Sequence, residues 1–410
     1  MLGGSGLFTA ARLEGDQKWV AVGLTAAAVV LYAAAAAVFW GAFPSSYVWS
    51  ELLISYEGGF VRRGLLGEIA YLLHPFVSTQ AFLTVLFFAV YVASAARVIY
   101  LACVRLNYGA LLFVVSPVAL TFPLNDPAAF ARKDALIVGA FLAALYVIER
   151  LPRRPFLAFT LTALIYAVLG LVHELGWLYF PLSIAFLLNT SGLDLPRARV
   201  LSVSAVAVLL ILAAATLSTL FKGNAALEAQ MVAAWQEKLP EAFDPLLAAD
   251  YLSEGILLNV AFVYNLAFDG LIIAGYAVAA FLGGVAVVGY AIDRRPSLAV
   301  DPLRVRLTRY AVYCMIAALA IAADWGRVIH LFWMHAFVFL ASLPPSESAP
   351  ARPVFDTKRD PRGLFYGLAL LFLSAVTWRL AHSGLRANPL LPGYIFDLQP
   401  LYRSVFGLHD

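Results

Sequence analysis

A chain of 410 residues that is 62% hydrophobic and only 13% charged has too little polar surface to coat a water-soluble domain, which ordinarily carries about a quarter charged residues. Its formal net charge of +3 is small and dispersed, unlike the basic stripe of a nucleic-acid surface. Cys103 and Cys314, the two cysteines, both fall in apolar runs, which argues against a disulfide framework or a cysteine zinc site.

A helix needs about 20 apolar residues to cross the roughly 30 Å hydrocarbon layer. In chain order, hydropathy and turn signals predict spans near residues 19–41, 76–104, 109–124, 127–149, 156–172, 175–190, 199–221, 270–292, 309–323, 328–343 and 363–381. The first run is as long as a full span and lacks a following A-x-A-like site, so it is expected to be a retained helix rather than a signal peptide. Segment 256–292 is too long for one upright span and short for two, and its first part, 256–268, reads as an interfacial or re-entrant helix. The expected fold is therefore all-α: a polytopic transmembrane helical bundle of about 11 spans with short interfacial or re-entrant helices on the outer side. Residues 1–410 form one transmembrane domain, into which an outer loop at 42–75 and an amphipathic outer loop at 222–255 are inserted.

Orientation follows from the positive-inside rule. With the N-terminus cytoplasmic, Lys and Arg number 18 inside and 10 outside, and the inside set includes Arg150, Arg153, Arg154, Arg197, Arg199, Arg294, Arg295, Arg304, Arg306 and Arg309. The polar linker 344–362 then lies inside, and residues 222–255 and the C-terminus lie outside. The excess of arginine over lysine and the abundant alanine suggest a GC-rich bacterial genome, so the expected location is a bacterial cytoplasmic membrane, crossed many times.

This topology gathers four charged constellations on the outer face: "SYEGGFVRRG", "NDPAAFARKD", "VHELGW" and "ADWGRVIH". In the second, Asp126 before Pro127 reads as an N-cap with proline at the first helical position, which puts Arg132, Lys133 and Asp134 one to two turns inside a helix. His173 with Glu174, and Asp324 with Arg327, interrupt long apolar runs and imply a recessed outer mouth. Ionisable groups at that depth cost about 2.5–3.5 kcal/mol on insertion scales and usually face a cavity or one another. Plainer roles stay open for each. Arg132 and Lys133 can snorkel to the interface, and Asp324 and Arg327 can lock two helix ends together. His173 can bond a backbone carbonyl, Arg62, Arg63 and Glu57 can be ordinary loop residues, and Asp126 can be only a cap. Asp269, His330 and His335 read as structural.

Arg62, Arg63, Arg132, Lys133 and Arg327 at such a mouth suit the phosphate of a lipid-linked anion, because guanidinium groups grip phosphate oxygens in pairs and stay charged. Glu57 or Glu174, with His173 beside the latter, is the candidate group to take a proton from an incoming hydroxyl; Asp126, Asp134 and Asp324 are supporting acids. Gly58 and Gly59 after Glu57 permit backbone conformations that let a bulky substrate approach. With this span pattern, the acidic and basic first outer loop "YEGGFVRRG" and the charged second loop "NDPAAFARKD", the chain resembles the GT-C type glycosyltransferases that use lipid-linked sugars, and the related polysaccharide polymerases of the Wzy and EpsG kind. The resemblance implies catalysis by an acidic residue of the first outer loop, here Glu57. It also implies lipid diphosphate held by outer-loop arginines, here Arg62, Arg63 or Arg132. The implied partners are a polyprenyl phosphate or diphosphate sugar and membrane lipids, with no nucleic acid. No metal ligand set is evident; the cofactor is unknown and a divalent metal ion is left open, as is the oligomeric state. The competing readings are a transporter or flippase of a lipid-linked anionic compound, and a membrane O-acyltransferase built round His173 or His330.

Overall fold

The computed structural model describes residues 15–43, 47–105, most of 111–124, 130–190, scattered positions from 202 to 220, and then 221–239, 302–315 and 325–343. Every regular element among the described residues is a helix. The expected spans at 270–292 and 363–381, the segment 256–268, the linker 344–362 and the C-terminal tail lie outside them.

Helix α1 (Asp16–Gly41) is an almost unbroken apolar run, and the short α2 (Tyr47–Leu52) is tied back to its end by the Trp49 indole, which donates to the Phe39 carbonyl at 3.1 Å. A loop leads to α3 (Leu65–Leu73) and then to α4 (Thr79–Arg105), which packs along α1, with the rings of Tyr32 and Tyr91 5.3 Å apart. Next come α5 (Asp134–Arg150) and α6 (Pro155–Val172), the latter starting on a proline whose missing N–H costs nothing at that position. A six-residue 3-10 turn, Glu174–Tyr179, links α6 to α7 (Phe180–Thr190). The last described helices are α8 (Ala225–Lys238), α9 (Pro302–Cys314) and α10 (Trp325–Ser342).

Three stretches, Gln17–Gly41, Thr79–Val104 and Pro155–Val172, are long and apolar enough to cross a membrane. Their outward faces carry large apolar side chains, among them Trp19, Val30, Val85 and Leu164, and a lipid surround would cover these where water would be repelled. The described residues thus form an all-helical assembly whose long apolar helices suit a membrane.

Three expected spans differ in detail. In the stretch at 109–124 the described residues turn at 115–116 and 118–121 and end in a 3-10 turn, Phe122–Leu124, where Pro123 has no N–H to continue a helical ladder. The carbonyls this frees are bonded inside the bundle: Tyr32 donates its hydroxyl to Leu120 at 2.7 Å, and His330 Nδ1 lies 2.8 Å from the Val118 carbonyl. His330 is therefore structural, as its sequence context suggested. The stretch at 175–190 is a 3-10 turn followed by an 11-residue helix of roughly 16 Å, too short to span upright. The expected helix at 127–149 starts at Asp134 instead. Arg132, Lys133 and Asp134 therefore stand at the helix entrance rather than one to two turns inside, since residues 130–133 turn so that Arg132 reaches the Tyr47 ring and Lys133 the Arg63 carbonyl. Asp126 and Pro127 lie outside the described residues.

Charge is sorted to the two ends of the bundle. At one end Arg97 pairs with Glu149 at 2.8 Å, near Arg150, Arg153 and Arg154. At the other meet the ends of α1 and α6 and the starts of α4, α5, α7 and α10.

Candidate functional site

Four chain segments build the second end. Helix α2 is too short to carry Glu51 away from the bundle, and it presents this carboxylate inward, 3% exposed. The loop that follows crosses close beneath α3: a Cβ on Gly67 would sit 2.1 Å from the Ile54 carbonyl, so only glycine admits the crossing. Arg63 has a left-handed backbone, φ 68°, uncommon for a residue with a side chain. Two contacts hold it there: Lys133 donates to the Arg63 carbonyl at 3.2 Å, and the neighbouring Arg62 N–H donates to the Phe221 carbonyl at 3.1 Å.

Arg63 is the hub. Its Nε donates to Glu174 Oε2 at 2.8 Å and its Nη2 to Oε1 at 2.5 Å, a forked pair, while its Nη1 lies 3.6 Å from Glu51. Arg62 Nη1 reaches the same Glu174 at 3.4 Å. Lys133 is fully buried beneath them. Arg132 lies over the Tyr47 ring at 5.8 Å. Arg327 makes a second fork with Asp134, Nε to Oδ2 at 2.6 Å and Nη2 to Oδ1 at 2.8 Å, tying the start of α10 to the start of α5. Asp134 in the first turn of α5 also meets the positive end of that helix.

Burial by itself would raise both loop carboxyls, and the surrounding cations reverse this. Lys133, then Arg63, bring Glu51 down to about 2, and Arg63 holds Glu174 well below the usual range. His173 is pushed down to about 4 by burial, with Arg63 adding to it, and is neutral at neutral pH. Its Nδ1 accepts the Leu175 N–H at 3.2 Å, so the ring proton sits on Nε2, 3.9 Å from Glu51. The histidine thus caps the 3-10 turn that carries Glu174, rather than donating to a carbonyl. Among the described residues the network contains five cations, Arg62, Arg63, Arg132, Lys133 and Arg327, against three carboxylates, Glu51, Asp134 and Glu174.

Sequence reasoning thus found most of the network, and the structure joins Arg62, Arg63, Lys133, His173 and Glu174 directly. Glu57 is exposed, and its charge acts on Tyr71 of α3. The glycines after it serve another purpose than expected: a Cβ on Gly58 would lie 2.4 Å from the Leu227 carbonyl, so the backbone that approaches here is that of α8. Asp324 and Asp269, and with Asp324 the lock expected between it and Arg327, lie outside the described residues; among these, Arg327 pairs with Asp134. Glu51 was missed because "VWSELL" reads as an ordinary amphipathic turn; its only signal is a lone acid in a mostly apolar stretch. His335 is buried against Tyr179, with Nδ1 bonded to its own helix at Leu331.

A neutral buried histidine makes stability pH-dependent. The unfolded chain takes up a proton near 6.5 and the native one only near 4, so this contribution is whole above pH 6.5 and is lost as pH falls towards 4. The loss is about 2 kcal/mol between pH 7.5 and pH 5, and about 3 kcal/mol in all. Unfolding of His173→Asn in detergent at those two pH values is expected to lack this difference. The Glu51 contribution is lost only lower, as pH falls from about 4.5 through 2.

No group of three or more His, Cys, Asp or Glu among the described residues is arranged to hold a metal ion. Compared with known proteins, the chain matches no family model, no curated protein and no solved structure.

Proposed function

We propose that this protein transfers a sugar from a polyprenyl phosphate or diphosphate carrier at the outer face of a bacterial cytoplasmic membrane, as a glycosyltransferase or polysaccharide polymerase. The observation that carries this reading is the cation-rich cluster at one end of the bundle, built by Arg62, Arg63, Arg132 and Lys133 around two loop carboxylates. The excess of cations over carboxylates among the described residues of this cluster favours a lipid-borne anion, and it stabilises charge as the bond from sugar to phosphate breaks. Arg327 contributes its charge, while its fork is engaged by Asp134.

Among the carboxylates, Glu174 is best placed to take the acceptor's proton. Its side chain is 22% exposed beside the cations, whereas Glu51 is 3% exposed and Glu57 faces Tyr71. Purified protein incubated with polyprenyl-linked sugars is expected to consume donor, with Glu174→Gln at least about 10²-fold slower. A large loss in Glu57→Gln with an active Glu174→Gln would instead put the proton transfer in the exposed first loop. Lipid-linked substrate that crosses the bilayer unaltered would replace this reading by a transporter.

A further inference from the structure

We infer that Glu174 is a built-in occupant of the anion site, and that an incoming phosphate or diphosphate group binds by taking its place on Arg63 and Arg62. The inference rests on the phosphate-site reading above and adds how that site is kept when empty and how it opens.

Arg63 presents Nε and Nη2 to two carboxylate oxygens of Glu174, and the O–P–O edge of a phosphate offers the same two-oxygen bite. Arg62 bonds the same carboxylate, so both arginines turn to whatever anion lies there.

The cluster divides into fixed and reachable parts. Glu174 and Arg63 each have 22% of the side chain exposed, while Glu51 and Lys133 are buried beneath. When Glu174 swings out, Glu51 still faces Arg63 Nη1 and Lys133 still bonds the Arg63 carbonyl, so the guanidinium keeps its place. Glu174 opens a 3-10 turn fastened by the His173 cap, so release needs a side-chain rotation rather than a backbone movement.

With Glu51 alone, at 3.6 Å, the partly buried Arg63 guanidinium is loosely paired, and Glu174 completes its pairing until the ligand arrives. The same contact suppresses the basicity of Glu174 in the resting protein, and departure from Arg63 restores it when a donor is present.

The test uses the purified full chain in detergent with two probes, inorganic pyrophosphate and farnesyl diphosphate, and measures dissociation constants. The Glu174→Gln protein is expected to bind each probe about tenfold more tightly than wild type, because no charged competitor must be expelled. Glu174→Asp keeps the charge but is too short to hold both nitrogens, so it is expected to fall between them and guards against a folding defect in the amide variant. Arg63→Ala is expected to lose at least about tenfold. Preference for farnesyl diphosphate identifies a lipid-borne anion, and equal binding of the two identifies a free one; both keep the exchange. Unchanged or weaker binding by Glu174→Gln and Glu174→Asp, with Arg63→Ala still impaired, overturns the exchange and leaves the phosphate site standing. Wild type and Arg63→Ala binding alike, or wild type binding neither probe, overturns both.

Discussion

Arg63→Ala is expected to reduce turnover of a polyprenyl-linked donor by about 10²–10³, the range seen when one fixed donor to developing negative charge is removed. The residue combines two properties that alanine lacks. Its fork engages two oxygens at once, and its guanidinium is fixed from below by Glu51 and through its own carbonyl by Lys133. Arg63→Lys is expected to recover only a minor part of this loss, because an ammonium is a point charge and cannot pair two oxygens in one plane. The check is kcat and KM for donor consumption in the three proteins, with matched elution and thermal midpoints as the control for folding. Lysine restoring wild-type turnover would show that charge alone suffices and that the fork is incidental.

Arg327→Ala is expected to destabilise the protein by about 3–5 kcal/mol, the cost of breaking a buried ion pair by removing one partner. Asp134 is 1% exposed, and the two Arg327 bonds at 2.6 and 2.8 Å face it across the contact between α5 and α10. Alanine leaves that carboxylate buried without its fork. Replacing both residues, with Asp134→Leu and Arg327→Met together, is expected to recover much of the loss, since apolar groups of similar volume need no pairing. Chemical unfolding in detergent of the two single variants and the double variant closes the cycle. A double variant as unstable as the sum of the singles would mean that the two side chains act independently. The cycle also separates roles: if the folded double variant still binds diphosphate, Arg327 holds the bundle together rather than the ligand.

What the sequence determined by itself is what depends on composition and on local chain chemistry. Apolar runs at 17–41, 79–104 and 155–172 are helices because every backbone group must be bonded internally in a lipid surround, and a continuous run of apolar residues allows that. The rarity of charge made Arg62, Arg63, Arg132, Lys133, His173, Glu174 and Arg327 conspicuous, because an ionisable group in such surroundings needs a reason to be there.

The tertiary structure alone decided which charges meet. Arg63 and Glu174 are 111 residues apart and Asp134 and Arg327 are 193 apart, and no local pattern encodes those pairings. It also sets Glu51 and Glu174, rather than Glu57, beside Arg63. Glu57 stands out in the sequence beside two glycines, but those glycines make room for α8, and Glu51 looks ordinary until α2 turns it inward. Local chemistry fixes what a residue is able to do, whereas burial and long-range partners, which set its charge and its reach, arise only when distant segments pack together.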